Sequence, residues 1–323
     1  MKKVGIICGG FSSEYDISVL SATNIQMHFP DAYKAYLVFL REEGWFVRLE
    51  DGSETQLDST EFTFSEEDTQ VKIDLAIVYI HGDPGENGKV QAYLEMINIP
   101  YINSGPLASQ LSFDKWYCNQ FLKGFGILVA DSEYITDELK ELDAGQIVKK
   151  LGLPLFVKPC DSGSSYGIAR VENEVDVVPA INAAFEEGNT VVIEQFLDGT
   201  EVTCGLYRGK DGLITLPLTE IVSKNAFFDY EAKYKGLSEE ITPARISDEL
   251  TVKVQSISKK IYDLLQLRSI ARIDFMLVND EPYVIEVNTT PGFSNESIVP
   301  KMIHALGITV KEFWSEIMEV ETK

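Results

Sequence analysis

A chain of 323 residues with a formal charge of −23 and 45% hydrophobic residues is too long for one small core and is expected to divide into about two or three domains. The acidic balance excludes nucleic acid as a partner, because phosphate backbones are gripped by basic surfaces. No apolar run approaches the ~20 residues of a membrane helix, so no membrane partner is expected either. The opening "MKKVGIICGG" ends its apolar run at Gly9-Gly10, short of the roughly 7–15 residues of a signal-peptide core. It reads as a first strand, and the chain as cytoplasmic. Cys8, Cys118, Cys160 and Cys204 lie far apart with no CxxC pair, so reduced, partly buried thiols are expected rather than a disulfide framework or a zinc site.

Along the first unit, placed at residues 1–103, strands and helices alternate. "KVGIIC" is a strand, "DISVLSATNIQMHF" has helical apolar spacing, and "YKAYLVFL" and "DLAIVYI" are further strands. The last is apolar throughout, as a strand buried on both faces should be. "GKVQAYLEMIN" is a helix leading into "IPYINSG". This is a doubly wound, parallel-sheet α/β pattern, interrupted by the polar "EDGSETQLDSTEFTFSEEDTQ", read as surface loops or a hairpin. A second unit, 104–194, opens with the helical "PLASQLSFDKWYCNQFLKGFG" and continues through "ILVADSEYI", an amphipathic stretch, "LPLFVKP", "YGIARVEN", a helix and "TVVIEQFL". The third, 195–323, is α+β: "GTEVTCGLYRG", "LITLPLTEI", the helix "SDELTVKVQSISKKIYDLLQL", two strands flanking "VNDEP", and a terminal helix around "KMIHALGITVKEFWSEIM".

The two strands flanking "VNDEP" carry the sharpest chemical signal. Arg272 and Asp274 share a face of the first, and Glu286 and Asn288 share a face of the second, since alternate residues of a strand point the same way. With a loop of odd length centred on Asp280, Asp274 faces Glu286 and Arg272 faces Asn288. Facing carboxylates about 5 Å apart repel, and a divalent cation between them removes the repulsion. Hard oxygen ligands suit Mg²⁺, which takes one or two carboxylates together with substrate phosphates. A solvated hairpin face also carries charged residues, but four of them on matching faces beside Thr289-Thr290-Pro291-Gly292 favour the metal reading.

Mg²⁺ in such a site accompanies a nucleotide, so phosphate-binding elements are expected elsewhere. The usual P-loop and the GxGxxG fingerprint are both missing. In their place stands "LFVKPCDSGSSYG", where Lys158 ends a strand and a Gly/Ser loop follows. Such a loop brings backbone N–H groups to phosphate oxygens while the lysine adds charge. Lys115 in "FDKWYC" fits a phosphate or plain solvent. Glu194, ending an apolar strand near a unit boundary, fits an adenine-binding hinge or solvent exposure. In the first unit, "CGGFSSEYDIS" and "YIHGDPGENG" both follow strands. Ligands of open α/β sheets bind beyond the carboxyl ends of the strands, so Glu14 and His81 can converge on one crevice, although a loop histidine without a task fits His81 equally well.

In order, "GGFSSEYDIS", "HGDPGENG", "VKPCDSGSSYG", "EQFLDGTEVT", "FDYEAKY", "ARIDFML" and "EVNTTPGFSNESIVP" resemble the D-alanine–D-alanine ligase family of the ATP-grasp superfamily over nearly the whole chain. The resemblance implies a three-domain ATP-grasp fold with ATP gripped between the last two domains. The implied activity is ATP-dependent joining of two D-alanines through a D-alanyl phosphate, for peptidoglycan precursor synthesis. It further implies that Lys115, Lys158 and the Ser165 loop contact the phosphates of ATP, with Lys233 shared between ATP and substrate. Glu194, Gln195, Phe196 and Leu197 would line the base, Phe227 would also belong to the ATP site, and Glu201 would hold the ribose. Asp274, Glu286 and Asn288 would bind two Mg²⁺ ions, with Mn²⁺ as a substitute and a monovalent cation as a further candidate.

The first D-alanine would sit with its ammonium near Glu14, and Arg272 with backbone N–H groups near Gly292 would offset charge in the tetrahedral intermediate. Ser297 and Ile298 would receive the second substrate, with His81 orienting nearby. A Glu14–Ser164–Tyr234 hydrogen-bond set would close "FFDYEAKYKG" over the site. Tyr234, where D-alanyl-D-lactate-forming relatives often carry histidine, favours the dipeptide. Asp83, Tyr166 and Glu296 depart from the family pattern and are expected to alter affinity rather than remove the reaction. A homodimer is also implied. Another ATP-grasp ligase or an ATP-binding sensor would share the hairpin and Lys158, but the Glu14, His81 and Ser297 constellation favours a small amino-acid pair.

Overall fold

The computed structural model describes residues 1–136, 142–163, 167–223 and 238–322. The first sheet is built on β1 (Lys2–Gly9), whose residues from Val4 to Gly9 are buried because both faces are covered. It pairs in parallel with β2 (Tyr33–Arg41) on one side and β7 (Leu75–Val78) on the other, and β7 pairs in parallel with β8 (Tyr101–Ile102). Beyond β2 the sheet continues antiparallel through β3 (Gly44–Arg48) and β4 (Glu54–Gln56). The acidic stretch that follows contains a small hairpin, β5 (Thr63–Glu66) with β6 (Thr69–Lys72). Helices α1 (Tyr15–Met27) and α2 (Lys89–Met96) complete the unit. Because the chain leaves β1 toward β2 and later returns beside β1 as β7, the loops after β1 and β7 diverge around a crevice at the sheet's carboxyl end.

The helix expected across "PLASQLSFDKWYCNQFLKGFG" is two helices, α3 (Pro106–Phe113) and α4 (Lys115–Lys123). They break at Asp114, which is extended (φ −81°, ψ 107°) and accepts a hydrogen bond from the Tyr117 N–H at 2.9 Å, the geometry of an N-cap. A four-stranded antiparallel sheet follows in the order β11 (Ala169–Val171), β10 (Leu155–Pro159), β12 (Thr190–Gln195), β9 (Ser132–Thr136). Helices α5 (Ala144–Leu151) and α6 (Val177–Ala184) share its core, with Ile147, Leu151, Val177 and Ile181 packed against Leu155, Val157 and Ile193.

The third sheet runs β16 (Ser238–Ile241), β15 (Thr219–Ser223), β13 (Thr200–Gly209), β17 (Ile270–Val278), β18 (Glu281–Asn288), with β14 (Gly212–Thr215) paired to β13. Helix α7 (Asp248–Leu264) covers one face. Cys118 and Leu122 of α4 enter the same core as Phe275, Val284 and Val287, so α4 lies on the back of the β17–β18 hairpin. The terminal helix is likewise two, α8 (Ile298–Leu306) and α9 (Val310–Glu321), divided at Gly307, whose φ of 87° ends α8 in the left-handed region. Met302, Phe313, Trp314 and Met318 of this pair share one core with Val4, Ile6 and Leu37 of the first sheet. The C-terminal helices therefore weld the crevice of the first sheet to the third.

The four cysteines are free and fully rather than partly buried, and burial pushes each thiol up to about 12. No helix among the described residues is long and apolar enough to cross a membrane.

Candidate active site

The loop after β1 delivers Glu14 and the loop after β7 delivers His81, and the two loops are stitched together. Phe11 N–H donates to the Asp83 carbonyl at 2.9 Å and the Ser12 hydroxyl donates to the His81 carbonyl at 2.9 Å. His81 is buried with its Nε2 3.1 Å from the Ser21 hydroxyl. Burial and then the nearby Arg272 charge lower its pKa to about 4, so the ring is neutral at neutral pH. Glu86, in the same loop, is also buried and accepts the Gly82 N–H at 2.8 Å. Its pKa is pushed up to about 8 by burial and then by Glu14, because two carboxylates in one dry pocket resist ionising together.

Across the crevice the β17–β18 pairing places Arg272 opposite Asn288 and Asp274 opposite Glu286, as the strand periodicity predicts. The route differs. The turn is the two-residue Asn279-Asp280, with φ of 51° and 64°, rather than an odd loop centred on Asp280. The pairing regains its register through a bulge: Phe275 faces Val284, Asp274 faces Glu286, and Ile285 is the extra residue. Without that residue's shift, Val284 and Glu286 would share a face. With it, Val284 packs in the core at 1% exposure and Glu286 turns to the cavity.

The guanidinium of Arg272 forks onto Asp274 (Nε to Oδ1 2.8 Å, NH2 to Oδ2 2.7 Å) and stands 3.9 Å from Glu286. Burial opposes its charge, but Asp274 and then Glu286 and Glu86 more than offset this and hold it protonated. Asp274 also accepts from the Thr203 hydroxyl and, at 3.2 Å, from the Asn288 amide N–H. The carboxylate repulsion expected at this hairpin is therefore met in part by the protein's own arginine.

The turn beyond β18 is clamped by the first unit. Tyr79 O–H donates to the Pro291 carbonyl at 2.8 Å, Asn103 to the Thr290 hydroxyl at 3.0 Å, and Asn24 to the Phe293 carbonyl at 2.7 Å, while Phe293 N–H donates to the Ser21 hydroxyl at 3.1 Å. Gly292 stands where a Cβ would come 3.1 Å from the Ser297 hydroxyl oxygen. Ser297 is the N-cap residue of α8, its Oγ accepting the Ser294 N–H at 3.0 Å.

Toward the second unit, Lys115 is buried rather than solvated and donates from Nζ to the Ser162 carbonyl at 2.6 Å. That bond ties α4 to the start of the Gly/Ser loop. Gly163 lies so close to Glu14 that a Cβ on it would come 2.1 Å from Glu14 Oε2. Lys158 forms an ion pair with Glu194 at 2.6 Å, and Asn119 donates to the other Glu194 oxygen at 3.2 Å. Phe196 lies 6.0 Å from Phe156 with the Arg170 guanidinium 4.8 Å from its ring. Gln195 ends β12 with its N–H on the Asp131 carbonyl, Leu197 follows half-buried, and Glu201 faces Ile221 and Met276 in the ladder.

One cavity of about 450 Å³ gathers Glu14, His81, Lys115, Arg272, Glu286, Asn288, Gly292, Ser297 and Ile298 among its walls. Of the family-pattern departures, Glu296 lines it, while Asp83 turns to Asn87 and Lys89. Asp274, hydrogen-bonded to Arg272, is not among the cavity's walls, and neither are Lys158 or Glu194 to Glu201. Ser164, Ser165, Tyr166, Phe227, Lys233 and Tyr234 lie outside the described residues. The sequence reading gave no role to Glu86, Ser21, Asn24, Tyr79, Asn103 or Asn119. For several of these the signal was a polar residue on an otherwise apolar face, as in "SATNIQ".

A metal reading must match the donors present. Among the described residues no three His, Cys, Asp or Glu side chains gather for a metal. The set is two carboxylates and a carboxamide, and Asn288, whose N–H points to Asp274, keeps a carbonyl oxygen as a donor. Hard oxygen donors of this kind fit Mg²⁺.

A doubly wound unit, a small antiparallel sheet and a larger one ending in the Asp274/Glu286/Asn288 hairpin define an ATP-grasp architecture. Family models described as D-ala D-ala ligase N-terminus and C-terminus match residues 3–104 and 121–319. The chain is 43% identical over 330 residues to a D-alanine–D-alanine ligase of Parabacteroides distasonis, covering 100% of this chain and 98% of that one. It is 44% identical over 316 residues to that of Porphyromonas gingivalis, covering 97% and 96%. Among solved structures, D-alanyl-alanine synthetase A of Vibrio cholerae superposes with a TM-score of 0.88 at 30% identity, covering 100% and 99% of the two chains. A Bacillus anthracis D-alanine–D-alanine ligase complexed with ATP gives 0.79 at 29% identity, covering 100% and 98%. The chain belongs to the D-alanine–D-alanine ligase family.

Proposed function

We propose that this protein joins two molecules of D-alanine, with ATP as co-substrate, and that the cavity walled by Glu14, Arg272, Gly292 and Ser297 is where the peptide bond forms. The observation that carries this reading is the convergence of those residues from opposite ends of the chain into one space of about 450 Å³. Glu14 offers negative charge to the ammonium of the first D-alanine, whose carboxylate then points toward Arg272, while Glu86, with its pKa pushed up to about 8, stands by as a neutral carboxyl. Attack of that carboxylate on the γ-phosphorus of ATP forms an acyl phosphate and releases ADP. The amine of the second D-alanine, after losing a proton, attacks the acyl carbon, and inorganic phosphate leaves with the bonding pair. Arg272 and the backbone N–H groups around Gly292 offset the charge that develops on the tetrahedral oxygen.

Ser297 and the N-terminus of α8 suit the carboxylate of the second substrate, since unpaired N–H groups and the helix dipole favour an anion. Lys115 and Lys158 serve the phosphates, with Ser165 and Lys233. Glu194 to Leu197 and Phe227 serve the base, and Glu201 serves the ribose. Asp274, Glu286 and Asn288 would hold Mg²⁺, which supplies charge neutralisation between the phosphates. Ser164 and Tyr234 are proposed to complete a closing hydrogen-bond set with Glu14. A homodimer and a cytoplasmic location complete the proposal. The test is phosphate release from Mg²⁺–ATP with D-alanine, L-alanine and D-lactate offered separately. Release that depends on D-alanine alone is expected, and its absence would sink the assignment.

A further inference from the structure

Helix α4 (Lys115–Lys123) brings together two residues one turn apart, Lys115 and Asn119, on the same face. Both are buried, at 9% and 3% exposure. Lys115 reaches the Ser162 carbonyl at the start of the Gly/Ser loop, and its own N–H donates to the Cys160 carbonyl at 3.0 Å. Asn119 reaches Glu194 on β12. Asparagine is a poor choice for a helix interior, because its amide competes with the backbone, and burying it demands a partner. Its partner is one oxygen of a carboxylate whose other oxygen holds Lys158 at 2.6 Å. The amide is oriented by the same contact, since turning it over would set its oxygen against the carboxylate.

We propose that Asn119 is a positioning residue of the nucleotide site: it fixes the Glu194 carboxylate, and through it the ammonium of Lys158, in the orientation that receives ATP phosphates. This rests on the reading of Lys158 as a nucleotide lysine. A free lysine head on a four-carbon stem samples many rotamers. A carboxylate that is itself held at both oxygens removes that freedom before ligand arrives, and so reduces what nucleotide binding must order. An ammonium has three donors, and one committed to Glu194 leaves two for phosphate oxygens. Because Lys115 begins the same helix, α4 carries the settings of both lysines as one rigid piece. The Trp116 ring, stacked on Tyr134 of β9 at 4.4 Å, seats that piece on the four-stranded sheet.

The experiment is steady-state kinetics of the full chain with ATP and D-alanine varied separately. Asn119→Leu should raise KM for ATP about 5- to 20-fold while kcat and KM for D-alanine stay within about twofold. Asn119→Asp keeps the shape and turns the donor into an acceptor. Should the leucine variant fail to fold, it reads the same effect, with KM for ATP raised near neutral pH and recovering as the new carboxyl protonates. In a Glu194→Ala background, Asn119→Leu should add nothing, because the side chain it acts through is gone. An unchanged KM for ATP, equal movement of both KM values, or additivity with Glu194→Ala would overturn the proposal. Lys158→Ala separates the two levels: a rise in KM for ATP there without one in the Asn119 variants removes the positioning role alone. No rise in Lys158→Ala removes the nucleotide reading beneath it and the proposal with it.

Discussion

The crevice around Glu14 and the sheet around Lys158 handle charge in opposite ways. Glu14, Glu86 and Glu286 converge on one cavity against Arg272 and Lys115, and burial, joined by the charge of Glu14, raises Glu86 to about 8. At Lys158, by contrast, the positive group already has its carboxylate at 2.6 Å, and that carboxylate already has its amide. In the proposed reaction the first region would receive cations, an ammonium and a metal, and it concentrates acidic side chains in a dry space. The second would receive an anion, and a half-buried lysine left without a counter-ion would be costly, so its charge is balanced within the fold by Glu194. Substitutions in the crevice should change chemistry, whereas those around Lys158 should change nucleotide affinity.

The largest effect should follow from removing one charge from the acidic side. Glu286→Gln keeps shape, removes a proposed metal donor and relieves the crowding with Asp274. Turnover should fall by about 10³-fold with the circular dichroism spectrum and thermal midpoint retained. Near-normal turnover would remove Glu286 from the reaction.

Next comes the place where the two regions touch. A methyl at Gly163 would lie 2.1 Å from Glu14 Oε2, so Gly163→Ala must displace either the Gly/Ser loop or the carboxylate. A misplacement near 1 Å costs about 10²-fold in rate. The loss should appear in kcat/KM for the first D-alanine, whereas a loss confined to KM for ATP would place the loop with the phosphates alone.

These two residues also mark the limits of what the chain order discloses. The hairpin was legible because its signal is local: a period of two puts Glu286 and Asn288 on one face whatever the rest of the protein does. The bulge at Ile285 was not, since turn length and bulge compensate and the same facing pair results from either. The convergence of Glu14 and His81 followed from strand polarity, which the alternation of strands and helices reveals. Tyr79 and Asn103 were hidden because each acts on a partner far away in sequence, Tyr79 on Pro291 and Asn103 on Thr290. The helix breaks at Asp114 and Gly307 are local, and a capping aspartate and a left-handed glycine were signals available to the reading.

The acidic crowding itself can be titrated. Glu86 has its folded pKa near 8, above the ordinary 4.5, so between those values the folded protein holds a proton that the unfolded chain has released. Its contribution to stability is therefore fully present below about pH 4.5 and is lost as pH rises through 8. At about 1.4 kcal/mol per unit, the loss amounts to a few kcal/mol. Denaturant midpoints of the substrate-free protein should fall across this window, and Glu86→Gln should flatten the fall. A parallel slope in wild type and variant would place the titrating group elsewhere. His81 has the opposite sign. Its pKa of about 4 lies below the ordinary 6.5, so its contribution is present above 6.5 and lost as pH falls through 4, and His81→Gln should lessen acid sensitivity without altering the alkaline limb.

The smallest effect tests whether the hairpin's geometry is set by its turn or by its packing. Asn279 and Asp280 both have positive φ, 51° and 64°, the conformation of a two-residue type I′ turn, in which glycine is preferred at the second position. A non-glycine residue there carries a strain of about 1 kcal/mol, partly returned by its smaller freedom when unfolded. Asp280→Gly should therefore raise stability by about 0.5 kcal/mol. Lys253, which donates to the Asp280 carbonyl at 3.0 Å, keeps its acceptor because that group belongs to the backbone. Turnover should not change, since Phe275, Val284 and Val287 are seated in the core shared with α4 and hold Glu286 toward the cavity from behind. A drop in turnover with the gain in stability would mean that the turn, and not the core beneath the strands, sets the facing of Asp274 and Glu286.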